Sequence, residues 1–77
     1  MSGAQSSEFA LRGEHITLDS LLKAIGVASS GGIAKMMIAD GQVQVDGAQE
    51  LRKTCKIRAG QVVAVAGSQI RVVAQTS

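Results

Sequence analysis

The sequence has almost no aromatic side chains. Its 77 residues include no Trp or Tyr and a single phenylalanine, Phe9. The core must therefore be aliphatic, built from Leu, Ile, Val, Met and Ala. Such a core supplies about 3–5 kcal/mol of net stability, which suits one domain near the lower size limit and leaves little room for an enzyme pocket.

Residues that carry chemistry are equally scarce, since the chain has one histidine, His15, and one cysteine, Cys55. A lone cysteine excludes an intramolecular disulfide and a cysteine zinc site. No pattern brings a base to a nucleophile or spaces acids as metal ligands, so neither an enzyme nor a bound cofactor is predicted. We expect Cys55 to be a small buried hydrophobic residue and His15 a surface or capping residue.

The sequence shows no recognisable targeting signal. There is no stretch that resembles a signal peptide, and no apolar run approaches the roughly 20 residues that cross a bilayer. The sequence therefore predicts a cytoplasmic protein. Residues 1–7 are small, polar and patternless, which predicts a disordered tail before a single domain at residues 8–77.

Charge is distributed unevenly along the chain. Residues 1–50 carry three basic and six acidic side chains, a net charge of −3, whereas residues 51–77 carry five basic side chains and no acid, a net charge of +5. This asymmetry favours a polyanionic partner, either nucleic acid or an anionic membrane surface. A small domain whose surface charges fell unevenly fits equally well. The basic stretch at residues 52–58 alternates like a strand and is not an amphipathic helix, which disfavours the membrane.

The spacing of apolar residues predicts two helices within residues 16–41. Thr17 is expected to cap the first helix, which ends at Gly26, and Ser30 to cap the second, which ends at Gly41. The first helix has an apolar stripe at helical spacing, formed by Leu18, Leu21, Leu22 and Ile25. The second is expected to bury Ala34, Met37 and Ile38. Because the connector is short, the helices must pack against each other.

From Gln42 onward the period shortens to two, which predicts strands. The alternating run of residues 42–45 followed by Asp46-Gly47 predicts a hairpin with a two-residue turn, since both turn residues need positive φ. Further strands are expected at residues 8–12, 48–51, 61–66 and 69–74, with turns at residues 59–60 and 67–68. The predicted fold class is α+β, a helical pair packed on a small, mostly antiparallel sheet.

Two glycines, Gly31 and Gly32, fall in the first turn of the second predicted helix, where helix propensity argues against them. Their bare backbone would let an anion approach the free N–H groups, which the helix dipole also favours. A tight connector that needs small residues for packing explains them equally well. The segment lacks the Lys-Ser/Thr pair of a P-loop, so nucleotide hydrolysis is not indicated.

An ordered set of residues resembles the RNA-binding domain of the ribosomal protein S four type, also called the alpha-L motif. The resemblance covers about residues 16–66. It is carried by Leu18-Asp19-Ser20-Leu21-Leu22, Gly26, Ser30, Ala34-Lys35, Met37-Ile38, Gly41, Val43, Val45-Asp46-Gly47, Gly60 and Val62. The glycine pair and the QVQVDG hairpin are most similar to small stand-alone bacterial members of the YbcJ type.

The resemblance implies that the protein binds RNA. Carried over by position, the RNA-binding residues are Ser30, Lys35, Arg52 and Lys53. The backbone argument and the charge pattern add Gly31, Gly32, Lys23, Lys56 and Arg58. The expected partner is structured RNA, ribosomal or transfer RNA, bound by a monomer with no cofactor and no membrane. Because readers of single strands stack bases on aromatic rings and Phe9 is expected to be buried, we predict recognition by shape and backbone.

Departures from the family pattern keep a second function open. Many members have Arg directly after the capping Ser, where this chain has Gly31, and a basic residue beside the one that matches Lys35, where this chain has Met36. Asp46 in place of the usual Asn keeps the turn and adds a negative charge near the proposed face. The alternative is a protein-interaction adaptor that keeps the fold but has lost the RNA surface.

Overall fold

The protein has two short helices and seven strands in the residues that the structure, a computed structural model, describes, which are residues 5–75. In chain order the elements are β1 (Gln5–Leu11), β2 (Ile16–Thr17), α1 (Leu18–Ala24), α2 (Gly31–Ala39), β3 (Val43–Val45), β4 (Ala48–Gln49), β5 (Lys56–Ile57), β6 (Val62–Val65) and β7 (Ser68–Ala74). The predicted α+β class is confirmed.

Five strands form the main sheet in the order β1-β7-β6-β3-β4, and β2 pairs with β5 in a separate ribbon. All pairs are antiparallel except β1 with β7, which run parallel. Parallel neighbours need a long connection, and here nearly the whole domain lies between the two strands. The sheet is thus mostly antiparallel, as predicted.

The core lies between the helical pair and one face of the main sheet. Alternate strand residues are buried there, among them Val43, Val45, Val63, Val65, Ile70 and Val72. The helices contribute Leu18, Leu21, Leu22, Ala34 and Ile38. The core is aliphatic as expected, and Phe9, Ile25 and Met37 pack against it half-buried. The residues between the buried strand positions, such as Arg71, point to the opposite face of the sheet.

Both helix ends match the sequence pattern more closely than the helix starts do. Gly26 and Gly41 follow the two helices with φ of 82° and 79°. The Ser30 hydroxyl accepts a hydrogen bond from the Ile33 N–H at 3.3 Å, which confirms the predicted cap. Thr17 occupies the cap position of α1, but its side chain makes no capping bond and instead donates to the Ser20 hydroxyl.

The predicted tail is wrong for residues 5–7. These residues begin β1, because each has a partner across the parallel pair, starting with Gln5 beside Ser68. The strand ends at Leu11, one residue before the predicted end at Arg12. The rest of the predicted tail, residues 1–4, lies outside the described residues.

The first hairpin has the predicted turn, with φ of 53° at Asp46 and 84° at Gly47. The last hairpin turns one residue earlier than predicted, at Ala66 and Gly67, whose φ values are 53° and 78°. Pairing of Val65 with Ser68 leaves those two residues as the turn. Alanine carries no preference for positive φ, so the sequence pattern pointed to the wrong pair.

Strands β3, β4 and β6 are each shorter than predicted, since β3 begins at Val43 and β6 spans only Val62–Val65. The return arm of the first hairpin, β4, ends at Gln49. The carboxylate of the next residue, Glu50, accepts hydrogen bonds from Arg52, two residues further along the chain. The basic stretch forms a strand only at Lys56–Ile57, because β2 offers two partner residues and no more. Residues 52–55 are therefore a loop that returns to the helical pair.

Candidate nucleic-acid interface

The basic segment, defined here as residues 52–58, lies against the start of α1. The carbonyls of Lys53 and Cys55 accept hydrogen bonds from the N–H groups of Asp19 and Leu18 at 3.2 and 2.9 Å. These are two of the free donors of the helix start, and the Ser20 N–H donates to the Asp19 carboxylate, so the Thr17 side chain is not needed as a cap. Pairing of β5 with β2 fixes the second half of the segment. The backbone of this charged loop is therefore ordered.

The four cations of the basic segment are all exposed: Arg52, Lys53, Lys56 and Arg58. The segment itself contains no acid. The positive charge of the segment therefore faces solvent, while the backbone that carries it is held by α1 and β2. A group of exposed cations on an ordered backbone is what a phosphate backbone binds.

Arg52 is held by Glu50. One oxygen of the Glu50 carboxylate accepts from the Arg52 backbone N–H at 3.0 Å and from the Arg52 Nε at 3.1 Å. These hydrogen bonds hold the pKa of Glu50 below its ordinary value, and the carboxylate in turn raises the pKa of Arg52. The Arg52 side chain remains 79% exposed, so its outer end is accessible to another anion.

Asp46 and Gln61 fix the chain around Arg58. The Asp46 carboxylate accepts from the Val62 N–H at 3.0 Å and from the Gln61 side-chain amide at 3.3 Å. The side-chain oxygen Oε1 of Gln61 accepts from the Arg58 backbone N–H at 2.7 Å. Asp46 thus acts as a brace between the first hairpin and the end of the basic segment, and both of its oxygens are engaged by neighbouring donors.

The start of α2 presents bare backbone. The first helical hydrogen bond runs from the Ala34 N–H to the Ser30 carbonyl at 3.1 Å, so the N–H groups of Gly31 and Gly32 precede the helical ladder. A Cβ added at Gly31 would meet no atom within 4 Å. Packing therefore does not require glycine at this position, which leaves room for a ligand or for a larger side chain.

The two remaining predicted cations are on the helical pair. Lys23 is exposed in the last turn of α1, at the end of that helix far from the basic segment and near the connector to α2. Lys35 is exposed on α2, one turn after the glycine pair. The structure thus brings the basic segment to the first helix and places the other candidates along the helical pair that packs beside it.

His15 has the exposed position that the sequence predicted, whereas Cys55 is less buried than expected. Cys55 is half-buried and packs against the core. Burial, together with the nearby Glu50 carboxylate, raises the pKa of its thiol, which disfavours the reactive thiolate. His15 is exposed in the loop before β2. Within the described residues, no three His, Cys, Asp or Glu side chains group closely enough to hold a metal ion.

The structure also shows surface features that the sequence pattern did not define. Three large apolar side chains are exposed: Ile33, Met36 and Leu51, by 43%, 65% and 56%. Met36 was expected to point outward, but Leu51 was assigned to a strand. Phe9 was expected to be buried, but it is only half-buried. The bracing roles of Glu50 and Gln61 were missed, because both depend on which segments meet in the fold. Neither helix in residues 5–75 has the length and apolar character needed to cross a bilayer.

The S4 domain family model matches residues 9–73, which is most of the chain. The protein therefore belongs to the S4 domain family. This result confirms the resemblance that residues 16–66 carry.

Two relatives carry the name YbcJ. The protein named "Putative RNA-binding protein YbcJ" of Escherichia coli (strain K12) is 57% identical over 60 residues, which are 78% of this chain and 86% of the relative. "Uncharacterized protein YbcJ" of Shigella flexneri matches with the same identity and coverage. The solution structure of YbcJ from E. coli, described as revealing an alpha-L motif involved in RNA binding, superimposes with a TM-score of 0.63. It is 47% identical and covers 96% of this chain and 92% of that one.

Proposed function

We propose that this protein is a small RNA-binding module that recognises structured RNA, ribosomal or transfer RNA, through its sugar-phosphate backbone. It acts as a monomer in the cytoplasm and binds without catalysing a reaction. The proposed interface combines the basic segment, the start of α2 and the lysines of the helical pair: Lys23, Ser30, Gly31, Gly32, Lys35, Arg52, Lys53, Lys56 and Arg58. Membership of the S4 domain family and the name of the E. coli relative support RNA as the partner.

The observation that carries this proposal is the ordered backbone of the basic segment. Two hydrogen bonds to α1 and the β2–β5 pair fix the loop, while its four cations face solvent. A flexible basic tail would lose conformational entropy when it binds RNA. A loop that is already ordered in the folded protein loses little further entropy on binding. Cations carried on a fixed backbone also favour an RNA whose phosphates have a fixed spacing, which is a property of structured RNA.

The start of α2 would add a second phosphate contact. Free N–H groups at a helix start and the helix dipole both favour an anion, and Gly31 and Gly32 let it approach the backbone closely. Lys35 stands one turn further along the same helix. In the proposed complex the RNA backbone therefore crosses the helical pair and continues along the basic segment.

The exposed apolar side chains favour a second candidate function, the protein-interaction adaptor. Met36 is 65% exposed on α2, and Leu51 comes close to Gly41 just beyond the end of the same helix. Large exposed apolar side chains are typical of surfaces that bind other proteins. RNA binding is the leading proposal because the four exposed cations of the basic segment outnumber these two apolar side chains.

Crosslinking in cells tests the two candidates. The full-length protein is irradiated in cells, purified, and the attached RNA is sequenced, for the wild type and for the Arg52→Ala/Lys53→Ala double variant. We expect ribosomal or transfer RNA to be recovered with the wild type and to fall several-fold with the double variant. Arg71→Ala is the matched control, since Arg71 lies on the opposite face of the sheet. Equal RNA recovery from all three proteins, with a co-purified protein lost from Met36→Lys, would favour the adaptor.

A further inference from the structure

The only aromatic ring and the only imidazole of the chain line the same cleft. The cleft has a volume of about 340 Å³ and lies where β1 ends and the chain turns into β2. It is lined by Phe9, Ala10, Leu11, Arg12, His15 and Ile16. Leu11 is buried at its base, Phe9 and Ile16 are half-buried, and Arg12 and His15 are exposed. The cleft therefore has an apolar floor and a polar, cationic rim.

The cleft opens beside the basic segment. In the β2–β5 pair, Ile16 lies opposite Ile57 and Thr17 opposite Lys56. Ile16 also lines the cleft, and Arg58 directly follows its partner Ile57 along the chain. A nucleic acid whose phosphates contact Arg58 would thus pass the rim of the cleft.

We propose that this cleft binds one unpaired nucleobase of the RNA while the basic segment holds the neighbouring phosphates. The inference deepens the proposed function and rests on it. Phenylalanine, histidine and the arginine guanidinium are the side chains on which proteins stack unpaired RNA bases, and all three types meet here. Because Phe9 is anchored by its packing against the core, its ring is held in place before the base arrives. The preferred ligand is then a helix interrupted by a bulge, and not an uninterrupted duplex.

A pair of labelled RNA hairpins tests this inference by fluorescence anisotropy with the full-length protein. One hairpin is fully paired, and the other has a single bulged adenosine in the same stem. We expect the wild type to bind the bulged hairpin at least about fivefold more tightly, the lower end of what one stacked base contributes. Phe9→Leu keeps an apolar side chain against the core, and His15→Ala changes only an exposed residue. Each should reduce the ratio of the two affinities to within about twofold.

The ratio of affinities separates this inference from the proposed function. Arg71→Ala, on the far face of the sheet, should keep the wild-type ratio. The inference is overturned if the wild type binds both hairpins equally well, or if Phe9→Leu and His15→Ala both keep the preference for the bulge. Failure to bind either hairpin would overturn the proposed function as well. Adenosine monophosphate alone should bind far more weakly than the bulged hairpin; equal binding would identify a free nucleotide as the ligand and overturn the assignment to RNA.

Discussion

Arg52 has both a fixed backbone and an accessible charge. Glu50 holds its backbone N–H and its Nε, while most of the side chain remains in solvent. A surface ion pair of this kind adds little to stability, because the Arg52 side chain is largely hydrated. Its effect is instead on geometry, since it limits the positions that the guanidinium can take before RNA binds.

Replacing Arg52 and Lys53 with Ala should weaken binding to a structured RNA by about 30-fold. Each lost charge-assisted contact to a phosphate contributes about 1 kcal/mol. Anisotropy titrations of a transfer RNA measure this change at a constant salt concentration. Arg71→Ala removes the same charge as Arg52→Ala from the opposite face of the sheet, so it should change the affinity by less than about twofold. A similar loss in both proteins would mean that overall charge, and not the basic segment, drives binding.

Gly31→Arg should increase RNA affinity by about 3- to 10-fold. The substitution supplies the Arg that many family members have after the capping Ser, and one new phosphate contact contributes about 1 kcal/mol. The structure leaves space for it, since a Cβ at Gly31 meets nothing within 4 Å.

Gly31→Gln is the matched control for that substitution, because it adds a long side chain and a better helix former without adding charge. Both variants should be slightly more stable than the wild type in urea denaturation. An equal gain in RNA affinity from the two would show that helix stability, and not the new charge, is responsible. An unchanged affinity in Gly31→Arg would exclude the start of α2 from the interface.

At the scale of elements, the Asp46 carboxylate joins the first hairpin to the chain that follows the basic segment. Asp46→Ala should lower the free energy of unfolding by about 1–3 kcal/mol, because it leaves the Val62 N–H without its acceptor and removes a residue suited to positive φ. Asp46→Asn, which restores the residue usual in the family, keeps the turn and one acceptor and should cost less than about 1 kcal/mol. Urea denaturation followed by circular dichroism measures both. Equal losses would mean that the negative charge itself is required.

The Glu50–Arg52 pair should make stability depend on acid pH. The pKa of Glu50 is lower in the folded protein than its ordinary value of 4.5, so the folded state binds a proton less readily than the unfolded chain does. The stabilisation is present above pH 4.5 and is lost as the pH falls through the folded-state pKa. Glu50→Gln should therefore lose less stability than the wild type between pH 7 and pH 3. Parallel denaturation midpoints across this range would contradict the assignment.

Sequence patterns spanning a few residues predicted most helices, strands and turns. The features that were predicted wrongly depend on contacts between segments that are distant in the sequence. The leucine stripe, the Ser30 cap and the Asp46-Gly47 turn each depend on residues a few positions apart, and all three are confirmed. The start of α1 is different, because its donors bond to carbonyls more than 30 positions away, in the basic segment. Strand β1 begins early for the same reason, since its partner β7 is the last strand.

At the scale of the whole molecule, the fold joins two halves of opposite net charge. The acidic half contributes the helical pair, and the basic half contributes the loop that closes over the start of α1. The charge pattern predicted that residues 52–58 matter, but the sequence alone could not show that Glu50 and Gln61 brace them. The cleft at Phe9 was missed for a related reason, because a strand pattern predicts which side is apolar and not how deeply the ring is covered.

The salt dependence of RNA binding tests the central claim most directly. The affinity for a structured transfer RNA is measured by anisotropy from about 50 to 200 mM salt for the wild type, Arg52→Ala/Lys53→Ala and Arg71→Ala. We predict a wild-type slope of log affinity against log salt of about −3 to −5, as expected for four to six phosphate contacts. The double variant should have a slope less steep by about 2, and Arg71→Ala should keep the wild-type slope. A wild-type slope near zero, or an equal change in all variants, would contradict backbone recognition by the basic segment.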